Sequence, residues 1–467
     1  MGGSTGPGLR RGHGFLNDKT TLAEVTVVER NEATLYEPVA APASASALLR
    51  WYVLVMMMMV YTISIADRYV ISIVLEPIRL ELQLSDAGVA FLTGVSLTLF
   101  YVSFGIPLSV LADKVSRRNI ITVSVILWSG LTVLTGLTRN YWQFLLARIG
   151  VGIGEAGGTP AANSIISDYF PVDRRPMALT IFSLGAPLGS WVALDLAGYL
   201  SHNYGWRSVF FAFGVPGVIF GVLLFLTVRE PRRGQLDRTA KAVKPSIMET
   251  LRFLFSQRSA VHMMVAGAIT CLWGWGMVFW IPAYLQRAFL LNEEEVGSIT
   301  GPIHLFAGAG ATLATSWFLG LSIMAHPKRV AWLLGIVVGL STIPTLILVW
   351  TSSLAVAKLM MWLFIPAIYF YIGPSFGVLN NLAPPHMRAQ FCAITLLVAN
   401  IGNLIIAPLM VGKLSDVIGA WFEVDNAVSL RWALLFLAPM GFWATWHYFT
   451  ATRTIERDQT RATGAAP

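Results

Sequence analysis

The chain has 467 residues, of which 55% are hydrophobic and only 12% charged, with a formal net charge of +8 and a mean hydropathy of +0.64. A soluble globular domain carries about 25% charged residues, so most of this chain has lipid for its solvent, and a soluble enzyme is excluded. The basic residues are not gathered on one face, as a nucleic-acid site needs; they fall in alternate connections between apolar segments.

Residues 1–47 form a polar, mixed tail with no apolar core followed by a small-residue cleavage site, so a cytoplasmic tail without a secretory signal is expected. An apolar run of about 20 residues crosses a bilayer as a helix, and on that rule the chain offers about twelve. The first six run approximately Trp51 to Leu75, Ala87 to Ala112, Ile120 to Leu137, Tyr141 to Ile166, Pro176 to Leu200 and Val209 to Val228. The first carries Asp67 and Arg68 in its interior, and the fourth carries Arg148 and Glu155. Gly152, Gly154 and Gly157 of the fourth spell G-x-G-x-x-G, which elsewhere marks a dinucleotide site. That fingerprint needs a preceding strand, whereas these glycines lie inside an apolar helix, so close helix packing is the better account. The fifth span contains SLGAPLGS, where small residues permit close approach and Pro187 permits a bend.

A polar stretch, residues 229–258, then divides the chain. The second set reads approximately Ala260 to Leu285, Val296 to Met324, Val330 to Trp350, Leu354 to Leu379, Ala389 to Val411 and Ala427 to Phe449. The expected organisation is therefore a tail (1–47), a six-helix half (48–228), a central cytoplasmic loop (229–258), a second half (259–450) and a cytoplasmic tail (451–467). Pro171, Arg175 and Gly189 recur at one constant offset as Pro384, Arg388 and Gly402, which supports an internal repeat.

Orientation follows from the short loops. Lys114, Arg117 and Arg118, then Arg174 and Arg175, then Lys328 and Arg329, then Arg388 share one side, which the positive-inside rule makes cytoplasmic. The opposite loops hold Glu76, Glu81 and Asp86, Glu293 to Glu295, and Glu423 with Asp425. Both termini are then expected on the cytoplasmic side of the cell (inner) membrane.

Charges inside spans are the most informative residues, because each costs roughly 2.5–3.5 kcal/mol at mid-bilayer and therefore faces an interior cavity and pairs. Counting from the outer helix ends at 1.5 Å per residue, Asp67 lies ~14 Å deep and Arg148 ~10 Å deep, so they can meet. Glu155 lies two turns beyond Arg148 on the same face, and Arg68 is its candidate cation. Asp67 and Glu155 are the expected proton-coupling groups and Arg68 and Arg148 their charge partners. In the second half, Trp273, Trp275, Phe279 and Trp280 crowd the seventh span and Tyr369, Tyr371, Phe376, Asn380 and Asn381 the tenth. A substrate cavity of Arg68, Glu155, Trp273, Trp275, Phe279, Trp280, Tyr369, Phe376 and Asn380 is expected, with rings for a tail and polar groups for a head. His304 and Asp195 are lone polar residues in spans eight and five. Cys271 and Cys392 sit in apolar stretches and offer neither a disulfide nor a zinc site, and neither H-E-x-x-H nor a G-x-S-x-G elbow occurs, so no catalytic residue, metal or cofactor is expected.

The connection after the second span, LSVLADKVSRRN, places Asp113, Lys114, Arg117 and Arg118 at the spacing of the cytoplasmic signature of the major facilitator superfamily, which the chain here resembles; Ser109 and Ser116 replace its two glycines. The stretches ISIADRYVISIVLEPIRLELQLSDAGVAFLTG and ARIGVGIGEAGGTPAANSIISDYFP are similar to the spinster branch of that superfamily, over most of the first half. The resemblance implies an all-α polytopic membrane protein with twelve transmembrane helices in two six-helix halves, substrate bound between them, and Asp113 closing the cytoplasmic side. It further implies a proton-coupled carrier of an amphipathic or lipid-like substrate of sphingolipid or lysolipid type; alternating access is expected, with that substrate, protons and membrane lipids as partners of a monomer. The alternative is a proton-coupled small organic-anion or drug transporter of the same fold, since Arg68 and Arg148 can hold a carboxylate. A channel would show flux that does not saturate.

Overall fold

The computed structural model describes residues 2, 46–96, 99–101, 103, 104, 115–171, 173–231 and 246–463. Among them no strand occurs, as expected where lipid cannot satisfy an open sheet edge. The first six spans are α1 (Ala47–Glu81), α2 (from Asp86–Ala90 into a wider π-helical turn at Phe91–Val95), α3 (Arg117–Gly136), α4 (Tyr141–Glu155, resuming as Gly158–Tyr169), α5 (Arg175–Tyr204) and α6 (Trp206–Thr227). The second six are α7 (Arg258–Phe289), α8 (Glu293–Gly320), α9 (Pro327–Trp350), α10 (Leu354–Asn381), α11 (Gln390–Phe422) and α12 (Asn426–Ala451). Nine of these, among the described residues, are long and apolar enough to cross a membrane by themselves; α2, α4 and α8 occupy the remaining three places. Glu76 and Glu81, expected in a loop, are instead the last turns of the 35-residue α1.

Local chemistry fixes the ends. The Asn140 side chain accepts from the Gln143 amide at the start of α4, and Asn292 and Glu295 form a reciprocal capping box on α8. Glu293, Glu294 and Glu295 complement the positive end of that helix. Gly205 holds φ at 80° in the turn from α5 to α6, a conformation L side chains rarely adopt. Inside α5 the ladder breaks at Leu184, because Pro187 has no N–H for the Ser183 carbonyl, and α10 breaks at Tyr371 above Pro374 for the same reason. Two short helices flank the bundle. Ile247–Ser256 buries Leu254 and exposes Ile247, Met248 and Phe255, and Ile455–Thr463 brings the buried Asp458 carboxylate to the Ser259 amide, 2.9 Å away, at the start of α7.

The two six-helix halves meet along α5 and α8, along α2 and α11, and where α1 approaches α7. The α5–α8 approach is close enough that a β-carbon on Gly198 would run into the Glu293 carbonyl, and one on Gly297 into the Leu194 carbonyl. Gly154 sits flat against Trp128 of α3, where a β-carbon would come within 2.9 Å of the tryptophan Cβ, so the glycine pattern of α4 serves packing. Trp142, Trp350 and Trp421 are exposed near one end of the bundle and Trp443 and Trp446 near the other, as rings at a membrane interface are.

Replacing Gly297 by leucine forces α5 and α8 apart. The expected cost is about 1–3 kcal/mol of overpacking, read as a lower melting temperature of the purified protein, whereas Gly310→Ala, which meets nothing within 4 Å, leaves it unchanged.

Candidate functional site: a charged cavity between the halves

Asp67 and Arg68 are neighbours on α1, so their side chains leave the helix about 100° apart. Each finds a different residue on α4. The Arg148 guanidinium lies 3.3 Å from Asp67 Oδ2, and the Thr132 hydroxyl of α3 donates to Asp67 Oδ1 at 2.6 Å. Arg68 donates from Nε at 2.9 Å and from a terminal nitrogen at 2.8 Å, both to Glu155 Oε2, and its guanidinium also covers the Tyr101 ring at 4.8 Å. The first pair is sealed, with side chains 1% and 5% exposed; in the second, Arg68 is 25% exposed and Glu155 not at all. Glu155 Oε1 and Arg148 Nε are buried without a hydrogen-bond partner.

Arg68 opens onto a cavity of about 750 Å³ lined from both halves. Its walls come from α1, α2, α4 and α5 and from α7, α8, α10 and α11, while α3, α6, α9 and α12 contribute no described lining residue. The lining is mainly apolar and aromatic, with Tyr61, Trp275, Phe279, Tyr369, Tyr371 and Phe376 among it, and Arg68 and Arg148 are its charged members. Of the expected cavity residues, Trp275, Phe279, Tyr369 and Phe376 lie on the wall with Arg68, and four do not. Glu155 stands behind Arg68; Trp273 is buried against Phe364, with ring centroids 5.1 Å apart, and Trp280 is buried beside Phe279, both on the far face of α7. Asn380 lies beyond the wall, where it accepts from the Cys392 thiol at 3.1 Å.

The acidic end is shut by a clasp between halves that the sequence reading missed. Arg287, in the last turn of α7, donates to Glu76 at 2.6 and 2.9 Å and to the two oxygens of Asp86 at 2.7 and 2.8 Å. Asp416 of α11 accepts from the Asp86 and Ala87 amides, both at 2.9 Å, capping α2 from the other half. Ser415 adds a bond to Asp86 at 2.7 Å, and the Gln286 amide reaches the Ile73 carbonyl at 3.1 Å. An arginine at a helix end is ordinary in sequence; the signal was its position opposite Glu76 and Asp86 on the same side.

At the basic end the charged ties among the described residues each stay within one half, while the Thr180 and Ser316 hydroxyls meet between α5 and α8 at 2.9 Å. Arg117 is buried, 2.5 Å from Asp168 and 2.8 Å from Ser164 on α4, and 2.9 Å from Glu230 just past α6. Ser116 and the Arg118 amide also donate to Glu230, and Arg118 covers the Phe225 ring at 4.7 Å. Burial pushes the Glu230 carboxyl up, but the bonds from the Arg118 amide, Arg117 and Ser116 outweigh it and hold it below its usual range. Asp113 and Lys114 lie outside the described residues. The cavity reaches toward this end, since Asn163, next to the Ser164 that binds Arg117, lines it together with Pro176, Thr180 and Ser316.

His304 of α8 is buried, with Nδ1 2.9 Å from the Tyr369 hydroxyl, which in turn lies 2.9 Å from the Ser190 hydroxyl of α5. Asp195 is half-buried beside Gly301 at the α5–α8 seam. Among the described residues no three His, Cys, Asp or Glu side chains could share a metal ion.

Residues 57–407 match the model of the Major Facilitator Superfamily. An MFS-type efflux pump of Mycolicibacterium smegmatis is 29% identical over 421 residues, 87% of this chain and 94% of that one. A sphingosine-1-phosphate transporter SPNS2 of Danio rerio is 30% identical over 233 residues, 49% of this chain and 46% of its own length. Among solved structures, a bacterial homolog of the human lysosomal transporter Spinster, in its inward-facing and unoccupied conformation, is 29% identical with a TM-score of 0.79, over 89% of this chain and 99% of that one.

Two outcomes follow from the geometry. Asp67→Ala strands Arg148 in the interior and is expected to cost about 3–5 kcal/mol, whereas the double variant with Arg148→Leu costs less than the sum of the single changes, measured by urea or thermal unfolding. A carboxyl held low gives its stabilisation above its ordinary value and loses it as pH falls through the depressed one; the tie of Glu230 to Arg117 therefore persists at neutral pH and loosens on acidification. Hydrogen exchange at the start of α3 should rise in acid, and rise at neutral pH in Glu230→Gln.

Proposed function

Because the chain belongs to the Major Facilitator Superfamily, whose members are membrane transporters rather than enzymes, we propose that it is a proton-coupled carrier of an amphipathic or lipid-like anion, with Arg68 and Glu155 as the coupling pair. The observation that carries this reading is the asymmetry of that pair: Arg68 is open to the cavity, while the carboxylate that holds it is sealed and has one oxygen free of any partner. A proton on Glu155 removes the negative charge from Arg68 and leaves a cation on a largely apolar wall, where an anionic head group can replace the carboxylate. Proton and anion then favour each other, because each stabilises the state the other needs. Asp67 and Arg148 set the position of α4 against α1 and supply a second acid for the same exchange.

The cavity volume suits a molecule larger than a sugar acid, since pockets of about 300–1,000 Å³ enclose drug-sized ligands, and its aromatic walls suit a chain. The match to a sphingosine-1-phosphate transporter supports a lipid-like substrate, and the match to a Spinster homolog supports an inward-facing conformer. By the positive-inside rule the basic end is cytoplasmic and the Arg287 clasp is the outer gate of a cell-membrane protein with both termini inside. The second reading is a small organic-anion carrier: a probable L-galactonate transporter of Escherichia coli is 25% identical over 80% of this chain and 83% of its own length, and Arg68 can equally hold a carboxylate.

Transport in proteoliposomes under an imposed pH gradient separates these readings, with lysophospholipids tested against sugar acids. Glu155→Gln is expected to bind substrate at all pH values and to lose acceleration by the gradient, whereas full pH-driven transport by both Glu155→Gln and Asp67→Asn would sink the coupling scheme. Arg287→Ala breaks four bonds of the clasp at once. Spin-label distances between the outer ends of α1 and α7 are expected to shift toward an open population, while an unchanged distribution would show that the clasp is not the gate.

A further inference from the structure

The second-half wall of the cavity that Arg68 lines contains a polar cluster around Asn403 that neither coupling nor gating uses. Asn403 lies in the π-helical turn Ile401–Ile406 of α11, where the extra residue per turn pushes a side chain out of the regular register, and such turns recur at functional sites. Gly402 beside it faces Ala268 and Leu272 of α7, and Asn403 Nδ2 reaches the Cys271 sulfur at 3.2 Å. The Tyr371 hydroxyl, from the break in α10, donates to the same sulfur at 3.0 Å. Asn403 is 8% exposed and lines the cavity with Cys271 and Tyr371, yet its Oδ1 has no hydrogen-bond partner.

A buried amide oxygen without a donor is destabilising, and in a membrane span no lipid tail can supply one. Thr270, one residue from Cys271, donates its hydroxyl to the Ala266 carbonyl, and the Ser375 and Tyr448 hydroxyls share a bond, whereas Asn403 Oδ1 is an unmatched acceptor on the wall of the second half. We propose that Asn403, positioned by Cys271 and Tyr371, is a second polar subsite that accepts a hydrogen bond from a hydroxyl or amine on the substrate while Arg68 holds its anionic head. The inference rests on the lipid-like reading above and narrows it to amphiphiles bearing a hydrogen-bond donor apart from the head group. A plain alkyl anion fills the same cavity but leaves the amide oxygen unpaired.

The test uses the full-length protein in nanodiscs and dodecyl phosphates that carry no substituent, or one hydroxyl or one amine at successive chain positions, with binding followed by tryptophan fluorescence. At least one positional isomer is expected to bind about fivefold to tenfold tighter than dodecyl phosphate, the worth of one net hydrogen bond. Asn403→Leu should erase that preference without weakening dodecyl phosphate, and Asn403→Asp should shift it toward the amine. Equal affinities across the whole set in the unmodified protein would overturn the subsite and leave the lipid-like reading intact, and this comparison holds even where a variant fails to fold. Failure of every alkyl phosphate to bind, beside binding of a sugar acid, would overturn the lipid-like reading and the subsite with it.

Discussion

Four charges in the interior of α1 and α4 have to be paired, and the rest of the site follows from how they are. Charge at this depth is costly, and one turn of α1 supplies both an acid and a base whose directions differ by about 100°. Asp67 turns toward α3 and α4, where Thr132 and Arg148 close around it, and Arg68 turns toward the cavity. Arg148 and Glu155 share a face of α4 two turns apart, so one helix answers both. The first pair joins α1 to α4 in the interior, and the second joins them where Arg68 meets the cavity.

The same logic separates the two ends of the bundle. At the acidic end the strong bonds cross between halves, Arg287 to Glu76 and Asp86, and Asp416 to the start of α2. At the basic end Arg117 ties α3 to α4 and to the segment after α6, all within one half. Bonds that cross must break for that end to open, whereas bonds within a half make it move as one body. Among the described residues charges therefore bridge the halves at the acidic end, whereas at the basic end the halves meet through the uncharged Thr180–Ser316 pair.

The interior charges were legible in sequence because each violates the apolar pattern of its span at a known cost. Arg287 was not, because an arginine in the last turn of a helix has an ordinary use at a membrane surface, and its partners lie about 200 positions earlier in the chain. The aromatics of α7 were legible in kind but misread in phase. Trp275 and Phe279 are four residues apart and share the cavity face with Cys271, whereas Trp273 and Trp280, seven apart, share the opposite face. Asn380 failed for a different reason. The break at Tyr371 carries the end of α10 past the wall, and no periodicity in the sequence records where an interrupted helix resumes.

The helices that build the wall include those whose hydrogen-bond ladders are interrupted: α2 and α11 by π-helical turns, α5 and α10 by breaks above Pro187 and Pro374. Thr93, Ser183, Tyr371 and Asn403 line the cavity at or beside those points. Irregular backbone at membrane depth is tolerated only where protein or a polar cavity can satisfy it, and at these four helices the cavity wall meets that condition, although α1, α7 and α8 line it unbroken. α3, α6 and α9 run as continuous helices on the outside, although α6 and α9 each hold an interior proline, Pro216 and Pro344. A regular helix at α11 would present its polar residues in one fixed phase; the wider turn lets Asn403 meet Cys271 while the residues on either side keep their packing against α7 and α2. Backbone irregularity thus brings the uncharged Asn403 onto the cavity wall that Arg68 also lines, beside the hydroxyls that the unbroken α8 presents through Thr312, Thr315 and Ser316.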